Sequence, residues 1–174
     1  AADVEGHDAC RKICILASLA FGRHVYPEYV HTEGITKITL EDVAYAENWG
    51  GVIKLIGEAK RIPEREQIEC MVAPAFVHNE SQLANIDDVF NGVLVRGNAT
   101  GDVVFYGKGA GKLPTASAVV ADIIHEAKVS GTSTSLTWAD STDNFVLPYD
   151  EVESAFYIRI SSDDEAFAKG EVSA

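Results

Sequence analysis

Asp3-Val4-Glu5-Gly6-His7-Asp8-Ala9-Cys10-Arg11-Lys12 sets a carboxylate, Asp8, four residues before an amine, Lys12, where a glycine turn leads into an apolar run. Through His7–Phe21 the apolar positions Ala9, Ile13, Leu16 and Ala17, with Ala20 following, predict a central helix buried over most of its circumference. Gly22 suits its C-cap. On such a helix the Asp8–Lys12 spacing puts both side chains on one face, where they can share a proton and meet one ligand. The same spacing also describes an ordinary stabilising pair near a helix start, worth ~0.3–0.5 kcal/mol. Spacing alone favours that plainer explanation.

Working outward, Thr39-Leu40-Glu41-Asp42 has the form of a capping box, with Asp42 in place of the usual Glu or Gln, opening a helix that Gly50-Gly51 stops. Two strand-like runs, Val52–Ile62 and Gln67–Val77, flank Pro63-Glu64-Arg65-Glu66 and predict a hairpin. A second hairpin is expected from Phe90–Arg96 and Asp102–Tyr106 around Gly97–Gly101. Gly107–Gly111 then turns into a helix from Pro114 to about Lys128, proline sitting in its tolerated first turn. These elements define an α+β class, a mostly antiparallel sheet of about four or more strands packed on helices.

Composition narrows the function. The 174 residues carry 27 acidic and 14 basic side chains, a net charge of −13, which repels phosphate backbones and argues against a nucleic-acid partner. The longest apolar stretch, Ile13–Phe21, is too short for a membrane span, which needs ~18 residues. Three cysteines, Cys10, Cys14 and Cys70, form no even disulfide framework and fit a reducing, cytoplasmic setting. Cys10 and Cys14 lack a second Cys/His pair and are expected to be small buried hydrophobes. The five histidines show no metal-binding spacing, so no metal is expected.

The string D-V-x-G-x-D-x-x-x-K resembles the second half of the homoserine dehydrogenase signature at every constrained position. Downstream, Glu33-Gly34-Ile35, then Ile38, Asp42, Ala46 and Ile53-Lys54-Leu55-Ile56-Gly57, are similar to the family's segment beyond the catalytic helix. So are Leu83-Ala84-Asn85, Val89-Phe90-Asn91, Val93-Leu94-Val95, Gly107–Gly111 and Pro114–Asp122 to its C-terminal catalytic region. The resemblance covers most of residues 3–125. Gln82 and Gly92 depart from it, where proline and alanine are usual; both concern backbone shape.

The resemblance implies NAD(P)-dependent interconversion of L-aspartate 4-semialdehyde and L-homoserine, in the biosynthesis of threonine and methionine. It makes Lys12 the proton donor to the nascent alkoxide and Asp8 its partner in the substrate site. An ammonium suits that task because it stabilises developing negative charge and delivers a proton. Asp3 is implied near the substrate's amino end; a loop aspartate capping the following helix is an equal alternative. Gly109, Ala110 and Gly111 are implied as backbone contacts to the cofactor. Lys54 could serve the substrate carboxylate, although a solvent-facing strand lysine is commoner. A homodimer through the sheet is implied as well.

No strand, G-x-G-x-x-G and helix with an acidic residue ~20 positions on is present, so the dinucleotide-binding unit is not in these residues. The expected organisation is a catalytic, substrate and dimerisation domain over 1–130, a Ser/Thr-rich linker over 131–154, and the start of an ACT-type regulatory domain over 155–174. Ala155–Ile160 resembles the first strand of that domain, with 161–174 acidic and frayed. A chain so truncated is expected to be inactive alone. The rival reading is a non-catalytic dimerisation or small-molecule binding module of the same fold.

Overall fold

The computed structural model describes residues 2–109, 111–129, 139–140 and 143–163. Helix α1 (His7–Phe21) begins and ends at left-handed glycines, Gly6 at φ 82° and Gly22 at φ 74°, and the Gly22 N–H closes on the Ser18 carbonyl. At Gly6 any side chain would be strained by that φ, and its Cβ would lie 3.1 Å from the Thr32 methyl. Glycine is therefore what lets the turn press onto the neighbouring strand. The buried Ser18 hydroxyl donates to the Cys14 carbonyl at 2.7 Å and accepts from the Val25 N–H at 2.9 Å, which fixes the chain's exit from the helix.

Helix α1 buries one face, through Cys10, Cys14, Ala17 and Ser18. Ile15, Leu16 and Leu19 stay 53%, 41% and 40% exposed, so the expected burial around most of the circumference is not found among the described residues. The physical reason is that a helix resting on a single layer has only one stripe covered.

That layer is a three-stranded sheet ordered β1-β3-β2, from β1 (His31–Thr32), β2 (Gly51–Arg61) and β3 (Ile68–His78). The β2–β3 hairpin pairs antiparallel from Gly51 opposite His78 to Arg61 opposite Ile68. Strand β1 joins β3 in parallel, His31 opposite Met71 and Thr32 opposite Val72. Ile68, Cys70 and Val72 alternate inward, the period-2 pattern of a half-buried strand. Helix α2 (Leu40–Trp49) packs on β2 and opens with the expected capping box: the Thr39 hydroxyl accepts from the Asp42 N–H, and the Asp42 carboxylate from the Thr39 N–H.

The second hairpin, β4 (Phe90–Gly97) with β5 (Gly101–Lys108), pairs antiparallel as a separate two-stranded ribbon. The antiparallel strands are thus divided between two small sheets within the α+β class. The loop after β3 carries the chain off the first sheet, and Lys54 holds it there by donating to the Ile86 carbonyl and the Asp87 carboxylate, each at 2.7 Å. Helix α3 (Lys112–Lys128) follows and makes no extensive contact with another helix or strand among the described residues.

Phe145, Val146 and Leu147 belong to the expected linker but are 4%, 2% and 5% exposed. The Ile68 N–H donates to the Phe145 carbonyl at 2.9 Å and the Leu147 N–H to the Ile68 carbonyl at 2.8 Å. This part of 131–154 is core, because an apolar triplet covers the stretch of β3 at Ile68 that the two-residue β1 leaves unpaired. Of the remainder of that linker, 131–138 and 141–142 lie outside the described residues. Ala155–Ile160, expected as a strand, joins no ladder among the described residues. It docks through side chains instead: the Tyr157 hydroxyl donates to Asp42 at 2.9 Å, and Arg159 donates to both Asp42 and Thr39. Residues 164–174 lie outside the described residues.

Candidate active site

The turn before α1 is built from backbone. The Gly6 N–H donates to the Asp3 carbonyl and the Asp8 N–H to the Ala2 carbonyl, both at 3.2 Å, and the Ile35 N–H reaches the Val4 carbonyl at 2.8 Å. Gly34 makes the last contact sterically feasible. A Cβ there would sit 2.2 Å from the Val4 carbonyl oxygen and 2.6 Å from the Glu5 Cα, with only backbone available to yield. Two stretches that the sequence keeps apart, Asp3–Lys12 and Glu33–Ile35, are thereby one structural unit.

On the first turns of α1, Lys12 Nζ lies 2.8 Å from Asp8 Oδ2. The side chains are 64% and 42% exposed, so the amine is held in direction by the carboxylate and remains open to solvent. Such a pair can deliver a proton to a ligand resting on this face and be recharged from water. Asp3 is exposed in the preceding turn. The cap of α1 is Gly6 with no side-chain hydrogen bond, so Asp3 does not cap the helix through its carboxylate.

Gly109 and Gly111 lie elsewhere, at the turn from β5 into α3, and Ala110 falls outside the described residues. The structure brings Asp8 and Lys12 together and leaves these glycines on the ribbon-and-helix unit. Gly111 is the N-cap of α3 at φ 123°, without a side-chain cap. A Cβ at Gly109 would lie 2.3 Å from the Asn91 amide nitrogen, so Asn91 closes over this turn. Bare backbone, a positive φ and uncapped N–H groups at a helix start are features that suit a phosphate-bearing cofactor. Lys54 is committed to the Ile86–Asp87 loop, which favours its scaffolding explanation over substrate binding.

Two constellations extend beyond their sequence signals, which gave only the Thr39–Asp42 capping box and the burial of Cys10 and Cys14. One is the buried Asp42, 3% exposed, serving Thr39, Tyr157 and Arg159 at once. Its carboxyl is held below the ordinary value chiefly by the Thr39 N–H, with Tyr157, the Thr39 hydroxyl and Arg159 adding to the effect and burial opposing it. The other is the thiol cluster. Burial first, and the neighbouring cysteines second, push Cys14 up to about 12; burial does the same for Cys70, with Cys10 adding. All three cysteines are buried and free of disulfides; the sequence suggested burial for Cys10 and Cys14, and Cys70 joins them. No group of three or more metal-ligating side chains is present among the described residues. No described helix is long and apolar enough to cross a membrane.

An α+β domain that carries an acid–amine pair on its first helix and a glycine turn before its last is the class of protein the structure defines. The sequence model of homoserine dehydrogenase matches residues 1–124, and the chain belongs to that family. It is 38% identical over 179 residues to the homoserine dehydrogenase of Neisseria gonorrhoeae, covering 99% of this chain and 41% of that protein. It is 48% identical over 126 residues to the Synechocystis enzyme, 71% of this chain and 29% of that one. Among solved structures, the homoserine dehydrogenase of Thiobacillus denitrificans superposes with a TM-score of 0.73 at 41% identity, over 84% of this chain and 35% of that chain. A hyperthermophilic archaeal homoserine dehydrogenase mutant in complex with NADPH superposes at 0.59 with 26% identity, over 76% of this chain and 36% of that one. The chain spans about two fifths of the length of such relatives.

Proposed function

We propose that this chain supplies the proton-transfer side of an NAD(P)-dependent homoserine dehydrogenase acting on L-aspartate 4-semialdehyde and L-homoserine. The observation that carries the reading is the 2.8 Å Asp8–Lys12 contact on α1, inside the motif that the family shares. In the reductive direction the Lys12 ammonium gives its proton to the aldehyde oxygen as negative charge builds there, and the resulting amine regains a proton from solvent. Asp8 aims the amine and balances its charge. Asp3, exposed one turn earlier, serves the substrate's amino end. When bound, the nicotinamide supplies the hydride. Gly109, Ala110 and Gly111 would hold it by backbone approach at the start of α3.

A homodimer goes with this reading. A two-stranded ribbon is marginal by itself, and β4–β5 leaves Val93, Val95, Val103, Phe105 and Tyr106 exposed, which fits a surface completed by a second copy. A cytoplasmic setting is consistent with the three free thiols. The rival module without chemistry rests on the exposure of the Asp8–Lys12 pair.

The test is initial-rate oxidation of NAD(P)H by aspartate semialdehyde, measured on the full-length enzyme and on the 174-residue chain. Turnover is expected from the first and none from the second, because hydride transfer demands a positioned cofactor. A full-length protein that binds the dinucleotide and still leaves the semialdehyde unreduced would establish the binding-module alternative.

A further inference from the structure

Two side chains from the segment 155–160, which joins no ladder among the described residues, converge on one carboxylate. The Tyr157 hydroxyl donates to one oxygen of Asp42, and Arg159 donates to the other and to the Thr39 hydroxyl. The Tyr157 ring rests against α2 and β3, its centroid 5.1 Å from that of Tyr45 and 4.9 Å from that of Phe76. Asp42 is 3% exposed, and a carboxylate so enclosed keeps its charge only where donors surround it. Taking away the Tyr157 or Arg159 donors therefore loosens the Thr39–Asp42 box that opens α2.

That box ends a loop with little slack. The Glu33 N–H donates to the Val72 carbonyl at 2.8 Å, the Ile35 N–H to the Val4 carbonyl at 2.8 Å, the Ile38 N–H to the Ile35 carbonyl at 3.1 Å, and the Thr39 N–H to the Asp42 carboxylate at 2.8 Å. The Ile35–Ile38 turn passes any shift of Thr39 on to Ile35, and Gly34 lies so close to Val4 and Glu5 that only backbone can give way. Val4 belongs to the turn that the Gly6 N–H closes on the Asp3 carbonyl and the Asp8 N–H on the Ala2 carbonyl. Hydrogen bonds and short turns of chain thus run from Tyr157 and Arg159 to the turn that presents Asp3 and Asp8.

We propose that Tyr157 and Arg159 are positioning residues for the reaction at Asp8 and Lys12: through Asp42 and Thr39 they hold the 33–39 loop against the turn before α1, and so place Asp3 and Asp8 relative to a bound substrate. The inference rests on the function proposed above and gives neither residue a contact with substrate. Such a brace acts on rate because a misplacement of ~1 Å can cost ~10²-fold. Gly109 and Gly111, on the ribbon-and-helix unit, lie outside this run of contacts, so dinucleotide affinity is independent of it.

The test compares the full-length enzyme with its Tyr157→Phe, Arg159→Gln and Arg159→Lys variants by steady-state kinetics, NAD(P)H titration, and hydrogen–deuterium exchange read by mass spectrometry over residues 2–8 and 33–39. Arg159→Gln is expected to lower kcat/KM for aspartate semialdehyde about tenfold. Arg159→Lys keeps the charge and loses the fork, and should recover part of that loss. Tyr157→Phe keeps the ring against Tyr45 and Phe76 and removes only the hydroxyl; it should cost several-fold, and it serves if Arg159→Gln does not fold. In each variant the dinucleotide Kd should be unchanged and exchange over both stretches several-fold faster. A lowered melting temperature with kcat/KM and exchange over 2–8 unchanged, or a loss of dinucleotide affinity equal to the loss of kcat/KM, would overturn the proposal. Exchange needs no turnover, so it separates the two failures: a wild-type enzyme that leaves the semialdehyde unreduced counts against the proposed function, and unchanged exchange over 2–8 in the variants counts against the brace.

Discussion

Replacing Lys12 separates chemistry from scaffolding, because its two possible roles differ in magnitude by about an order. As a scaffold the Lys12–Asp8 contact is worth little: both partners are substantially exposed, at 64% and 42%, so the 2.8 Å separation is screened by water. An exposed (i, i+4) pair contributes ~0.3–0.5 kcal/mol, and for a domain of this size that shifts the melting temperature by only ~1–2 °C. As a proton donor, Lys12 should account for ~10²–10⁴ in kcat, equivalent to ~3–5 kcal/mol of barrier. The assay is steady-state kinetics of the full-length enzyme beside its thermal melt, for Lys12→Ala, Lys12→Arg and Asp8→Ala. Lys12→Arg is the sharpest variant: it keeps the ion pair and the melting temperature, yet a guanidinium does not give up its proton. It should lose kcat nearly as fully as Lys12→Ala, with cofactor binding intact. Near-normal kcat in Lys12→Ala and Asp8→Ala would refute the site assignment.

Gly34→Ala should cost ~1–3 kcal/mol and lower activity, since its Cβ meets only the Val4–Glu5 backbone; denaturant unfolding of the full-length variant measures it. Phe145→Ala should cost ~3–5 kcal/mol, a loss that a linker residue would not produce, and chemical denaturation reads it directly. For Asp42 the folded carboxyl titrates below its ordinary value of 3.8, so its contribution to stability is present above that pH and is lost as pH falls through the lower folded value. Asp42→Asn should therefore flatten the acid limb of the melting-temperature profile, whereas an unchanged limb would show that Asp42 is not one of the groups responsible. Burial of the cysteines, with Cys14 and Cys70 pushed up to about 12, predicts that a thiol reagent at pH 8 labels none of the three until the chain is unfolded.

Short-range features were legible because each is decided within a turn or two of chain. The extent of α1, its Gly22 stop, the Thr39–Asp42 capping box and both hairpins follow from spacing, capping chemistry and turn residues that act over about four positions. The Asp8–Lys12 contact was legible for the same reason. Exposure was not, because whether a helix face is covered depends on what else the chain brings to it: Leu16 has the pattern of a buried residue yet remains open. Tertiary structure alone decided the rest. It split the strands into two sheets and turned Phe145–Leu147 from expected linker into core. It brought Gly34 against Val4, and joined Asp42 to Tyr157 across 115 positions. Such contacts carry no periodic signature, because they arise only when loop closure and burial of one common core fix distant segments side by side.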